Sequence, residues 1–136
     1  MRIRFVAGIA PIVTDLAAST ELYAGALGIA MGEGDYPMTD SLPGVKHFGL
    51  WTLAGAAESC FGTDTWPADL PIPQASLEFG VDDADAVAEA ATELTAAGHR
   101  VLVGPKTEPW GQTVARLLSP DGLLIGVTHT PWMTTE

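Results

Sequence analysis

Two stretches of the chain carry the same order of apolar and polar positions. In "IAPIVTDLAASTELYAGALGIAM" and again in "LEFGVDDADAVAEAATELTAAGHRV", an apolar run leads to an Asp, an Ala-rich segment, a Gly and a further apolar run. Val13 in the first matches Val81 in the second, half of the 136-residue chain further on. Each apolar run reads as a strand and each Ala-rich segment as a helix. Leu16, Tyr23 and Leu27 recur at helical spacing in the first, as do Val87, Ala91 and Leu94 in the second. Asp15 and Asp82 or Asp83 can accept hydrogen bonds from the free N–H groups of a helix start, and their charge suits its dipole. Gly28 and Gly98 stand where a left-handed residue ends each helix.

After each helix the pattern turns to strands. The expected segments are 30–36, 45–53 and 57–62 in the first half, and 101–106, 112–119 and 123–128 in the second. The last two are joined by an "SPDG" turn. "TDTWPADLPIP", residues 63–73, has three prolines and no periodicity, so it reads as a linker. The pattern therefore predicts one α+β domain of two βαβββ modules, 1–62 and 74–136, forming curved mixed sheets around a cavity. A four-stranded sheet with one helix on one face leaves its other face open, and function is expected there. Alternation along 74–81 puts Leu77, Phe79 and Val81 under the helix and turns Ser76 and Glu78 to the open face. Along 123–128 it turns Leu124, Gly126 and Thr128 the same way.

Composition narrows the partners. Six basic against seventeen acidic residues give a formal charge of −11, with no basic patch for nucleic acid or an anionic membrane surface. No apolar run is long enough to span a membrane. The opening "MRIRFVAGIAPIV" resembles the start of a signal peptide, but its internal counterpart is a strand. Cys60 is the single cysteine, so no intrachain disulfide forms. The chain reads as cytoplasmic, and Cys60 as an inert thiol in an apolar strand without a basic neighbour.

"SPDGLLIGV" together with "VTDLAASTELYAGALGI" resembles the vicinal oxygen chelate superfamily, which includes glyoxalase I, extradiol dioxygenases, fosfomycin-modifying enzymes and the bleomycin and mitomycin resistance proteins. The resemblance covers essentially the whole chain. Metal-dependent members take ligands from the first and last strands of each module. The resemblance places those positions at Gly8, Glu58, Ser76 and Gly126. Two glycines, a serine and one carboxylate do not hold a divalent ion against water. His47, Glu108 and His129 show no ligand spacing that would rebuild a site, and His47 reads as a strand residue with one wet face. The expectation is a protein with neither metal nor cofactor, in which the glycines leave volume for a bulky organic ligand.

Phe48, Trp51, Phe61, Trp66 and Trp110 are candidate aromatic walls, with Glu58, Glu78 and Arg116 as polar groups between them. Trp51 and Phe61 suit a core equally well, and Glu78 and Arg116 can pair with one another. Trp66 and Trp110 stand in Pro-flanked loops, where binding residues concentrate. "PWGQ" is similar to the corresponding loop of mitomycin-resistance-type proteins, which implies that Trp110 and Gln112 lie near a ligand. In fosfomycin-type relatives the position of Arg116 lines the cavity, which implies the same here.

Three functions follow from this. The first is a metal-free binding protein that sequesters or carries an aromatic or polycyclic compound, an antibiotic among the candidates. The second is a lyase, isomerase or dioxygenase-type enzyme with an atypical metal site, or with Glu58 or Glu78 as a general base. The third is a module whose cavity is filled by its own side chains. Open sheet faces in so small a chain also predict a homodimer.

Overall fold

The computed structural model describes residues 1–134. The second half follows the βαβββ plan closely. β5 (Ala75–Gly80) leads to a helix over Ala84–Ala96, α3, and then to β6 (Val101–Thr107), β7 (Thr113–Leu118) and β8 (Leu124–His129). Asp83 caps α3, its carboxylate accepting from Ala86 N–H at 2.8 Å. Gly98 follows in the left-handed region, φ +93°. In the hairpin between β7 and β8, Ser119 N–H donates to the carbonyl of Leu123. Its hydroxyl donates to Asp121, drawing that carboxyl below the ordinary range.

The first half keeps the plan only at its start. β1 (Phe5–Val13) leads to Asp15, which caps α1 (Leu16–Thr20) by accepting from Ala18 N–H at 3.0 Å. Helix α1 continues as a π-helical stretch over Glu21–Ala26, in which Leu27 N–H reaches the carbonyl of Leu22. No strand forms over 30–36. The chain instead makes three two-residue strands, β2 (Met38–Thr39), β3 (Phe48–Gly49) and β4 (Trp51–Thr52).

The expected strand at 57–62 is a helix, α2 (Leu53–Phe61). Its sequence, LAGAAESCF, is rich in small and straight-chain residues that lose little freedom in a helix and offer little to a sheet. Thr52 supplies the N-cap by accepting from Gly55 N–H, and Gly62, at φ +74°, ends the helix. A side-chain N-cap thus opens α2 as it opens α1 and α3.

β1 and β5 pair antiparallel, so the two halves share one curved mixed sheet of order β2-β3-β1-β5-β8-β7-β6, with β4 also on β1. Its faces are covered differently. Helix α3 packs Val87, Ala90 and Ala91 against Val81, Ala115 and Val127. Helix α2 covers part of the opposite, concave face, where Ala56, Ala57 and Cys60 meet Leu124 and Trp66. A polar tie fixes its end. Ser59 donates its hydroxyl to Glu108 at 2.8 Å, and Lys106 donates to the carbonyl of Ser59 while standing 3.4 Å from the Glu108 carboxylate. Residues 63–73 form neither helix nor strand, yet Trp66 anchors them. Its indole N–H donates to the carbonyl of Pro71 at 3.0 Å, and its ring meets Phe61 edge-on at 5.1 Å. Among the described residues no helix is long and apolar enough to cross a membrane.

Candidate functional site

The part of the concave face that α2 leaves open carries a row of four residues across four strands. Gly8 on β1 lies opposite Glu78 on β5, Glu78 beside Gly126 on β8, and Gly126 opposite Arg116 on β7. Arg116 is only 1% exposed. Its Nη1 stands 3.0 Å from Glu78 Oε2, and its guanidinium lies over the Trp51 ring, 4.8 Å from the centroid. The ion pair is close but poorly aligned. Neither Nε nor Nη1 of Arg116 has a hydrogen-bond partner among the described residues.

Gly126 leaves this arrangement uncrowded. A Cβ there would lie 3.2 Å from Glu78 Cγ and 3.3 Å from Arg116 Nη1. Its missing side chain therefore makes room for the ion pair rather than for a ligand, which corrects the expectation drawn from the glycine alone. The pair extends into a network. Gln112 Nε2 donates to Glu78 Oε1 at 3.1 Å and to Thr128 Oγ1 at 2.8 Å, while Gln112 Oε1 accepts from the Trp110 indole at 2.9 Å.

A second polar group stands across Gly8 from this one. An ideal Cβ at Gly8 would sit 3.5 Å from Glu78 Oε1 on one side and 3.7 Å from His47 Cβ on the other. His47 Nδ1 is 2.7 Å from Asp40 Oδ1, and His47 Nε2 is 2.6 Å from the Tyr36 hydroxyl. Tyr36 also needs a glycine beneath it, since a Cβ at Gly49 would lie 2.5 Å from its hydroxyl oxygen. Burial holds the Tyr36 hydroxyl well above the ordinary phenol range, with the Glu78 charge adding to it. Neither Tyr36 nor Asp40 stands out from its sequence surroundings, and the segment that carries them forms no helix in which their spacing to His47 would count. Only the folded loop brings the three together.

Both groups line one cavity of about 550 Å³. Of the candidate residues, Glu78, Trp51, Trp110, Gln112 and Arg116 meet there. Trp110 stands at the rim, 55% exposed. The others lie elsewhere. Trp66 is 7% exposed in the core described above, because its N–H finds a carbonyl within its own loop. Phe48 packs against Tyr23 at 5.8 Å and does not line the cavity. Glu58 is exposed on α2 and does not line it either.

The register explains the misplaced Glu58. Ile9 pairs with Phe48 in the first half as Leu77 pairs with Ile125 in the second, so the counterpart of Gly126 is Gly49. Both residues are glycine. At those four positions a chelated divalent ion does not fit. They offer glycines and Ser76, and the nearby carboxylate, Glu78, is bound to a guanidinium that would repel a second cation. Among the described residues no group of three or more His, Cys, Asp or Glu is placed to hold a metal. Cys60 is buried in the α2 core, and that burial pushes its thiol up.

The profile of the Glyoxalase/Bleomycin resistance protein/Dioxygenase superfamily matches residues 6–127. Solved structures of similar fold include a superfamily member from Vibrio splendidus 12B01, with TM-score 0.58 and 16% identity, covering 95% of this chain and 100% of that one. A second is described as an NAD-dependent benzaldehyde dehydrogenase from Legionella pneumophila, with TM-score 0.58 and 18% identity over 90% of this chain and 96% of that one. A third is a methylmalonyl-CoA epimerase from Streptomyces coelicolor in complex with 2-nitronate-propionyl-CoA, with TM-score 0.55 and 17% identity over 96% and 99%. At such identities the likeness is one of fold. No curated protein matches the sequence.

Proposed function

The chain belongs to the Glyoxalase/Bleomycin resistance protein/Dioxygenase superfamily, and from that premise we propose that its cavity binds a small aromatic molecule without a divalent metal. One observation carries this reading. A buried guanidinium, two of whose nitrogens have no hydrogen-bond partner among the described residues, forms the floor of a chamber walled by Trp51 and Trp110. The volume of about 550 Å³ suits a compact organic molecule. Flat rings find stacking partners in the walls, each worth roughly 0.5–1.5 kcal/mol beyond area burial. Arg116 calls for an acceptor at the buried end of the ligand, such as a carbonyl, carboxylate or nitro oxygen, because an unmatched buried donor is costly.

A carboxylate base is the alternative, and its candidate in the cavity is Glu78. Its Oε2 already stands 3.0 Å from Arg116 Nη1 and its Oε1 accepts from Gln112 Nε2, so both oxygens are engaged and sequestration or carriage is the better reading. A homodimer belongs to the same proposal. Val6, Leu22 and Leu27 are exposed apolar side chains that a second copy would cover, and light scattering reads that state directly. A reducing cytoplasm suits the free Cys60.

Calorimetry against a panel of aromatic acids, ketones and nitro compounds tests the binding reading. At least one class should bind, and Trp110→Ala should weaken it several-fold while leaving the protein folded, because Trp110 is mostly exposed. Unchanged affinity in that variant would place the ligand elsewhere. Loss of the fold would make Trp110 part of the core.

A further inference from the structure

We propose that Asp40, His47 and Tyr36 form a proton relay that takes the proton of an ionisable hydroxyl, a phenol or an enol, on the molecule held in the cavity. The proposal rests on the binding reading above and adds chemistry to it. Asp40 Oδ1 lies 2.7 Å from His47 Nδ1, so the carboxylate holds the imidazole proton on that nitrogen. The Nε2 lone pair then faces the Tyr36 hydroxyl at 2.6 Å and accepts its hydrogen. With its own hydrogen so engaged, Tyr36 Oη presents only lone pairs to the cavity. It is an acceptor with a base behind it, and it suits a ligand that donates.

The transfer is a relay of two protons. The ligand O–H bond breaks and leaves its electron pair on the ligand oxygen, while a lone pair of Tyr36 Oη takes that proton. The original Tyr36 O–H breaks in the same way, and the Nε2 lone pair of His47 receives its proton. An imidazolium then stands against Asp40, and Tyr36 is neutral again. That end state agrees with the burial that keeps Tyr36 protonated. Nothing is oxidised or reduced.

The charges facing the relay come from three sides. Asp40 and Glu78 favour the protonated tyrosine and Arg116 opposes them. Asp35 lines the same cavity from the loop before β2. The new ligand anion shares the chamber with the Arg116 guanidinium, whose Nε and Nη1 have no hydrogen-bond partner among the described residues. Burial in an apolar chamber alone would hold a phenol neutral. Ionisation on binding is therefore a signature that simple enclosure does not produce.

The test uses 4-nitrophenol, whose absorption changes on ionisation, and its methyl ether 4-nitroanisole, which has no proton to give. Both are titrated into the full chain at about the phenol's own pKa, where about half of the free phenol is ionised. Bound 4-nitrophenol should be almost wholly phenolate. His47→Gln and Tyr36→Phe should return it to about the free fraction, and Asp40→Asn should lower it in part. All three variants should still bind 4-nitroanisole, which certifies their fold and their cavity. A neutral spectrum for phenol bound to the unaltered protein overturns the relay and leaves the cavity standing. A phenolate spectrum that survives His47→Gln also overturns it, because Arg116 alone would then suffice. If neither compound binds, the relay and the aromatic cavity fail together.

Discussion

The two halves start from one sequence plan and end in different structures. In the second half β5 to β8 form a regular sheet under a thirteen-residue helix. In the first half the strands after α1 shrink to two residues each, joined by loops and followed by helix α2. The difference separates two tasks. The regular half holds the buried floor, where Glu78, Gln112 and Arg116 are fixed by strand register and by one another. The irregular half supplies Tyr36, Asp40 and His47, whose contacts need a backbone that no sheet would allow. The paired glycines make the same point. Gly126 makes room for a guanidinium and a carboxylate, and Gly49, its counterpart, makes room for a phenol.

If the second half is the scaffold, damage to its floor should be the most costly change. Arg116→Ala would leave the Glu78 carboxylate without its cation in the interior, and breaking such a pair costs about 3–5 kcal/mol. Denaturant unfolding should show that loss, and adding Glu78→Met to Arg116→Met should recover much of it. A loss under about 1 kcal/mol would mean that water reaches the pair freely. A smaller effect compares the two helix starts. Asp83→Ala removes the cap of α3 and should cost ~1 kcal/mol of global stability. Asp15→Ala removes the same bond from α1, which is five residues long and buries none of them, so its cost to global unfolding should be lower. Equal losses would show that the first half folds as tightly as the second and would remove the distinction.

Where the sequence was legible, a short-range rule decided the outcome. Strand period settled which of Ser76, Leu77, Glu78 and Phe79 face the cavity. Asp and Gly punctuation settled the starts and ends of α1 and α3. The 57–62 segment departs from module symmetry because a run of small residues has no strong period and its caps, Thr52 and Gly62, decide for helix. Trp66 belongs to the core and not to a ligand wall because its partner is the carbonyl of Pro71, a contact that depends on how a proline-rich loop closes. The joining of Tyr36, Asp40 and His47 is tertiary in the same sense.

Helix α2 has one more consequence. The concave face of the sheet has a fixed width, and α2 divides it between core and guest. Whatever area the helix covers is withdrawn from the chamber. Capacity for larger guests is thus written on the start of α2, where Thr52 and Gly55 line the chamber while Leu53, Ala56, Ala57 and Cys60 hold the helix to the core, as much as on the tryptophan walls. Enlarging the chamber from that side trades directly against cohesion, at ~0.8 kcal/mol for each buried methylene removed. Guest size and thermal tolerance should therefore move in opposite directions across variants of this helix.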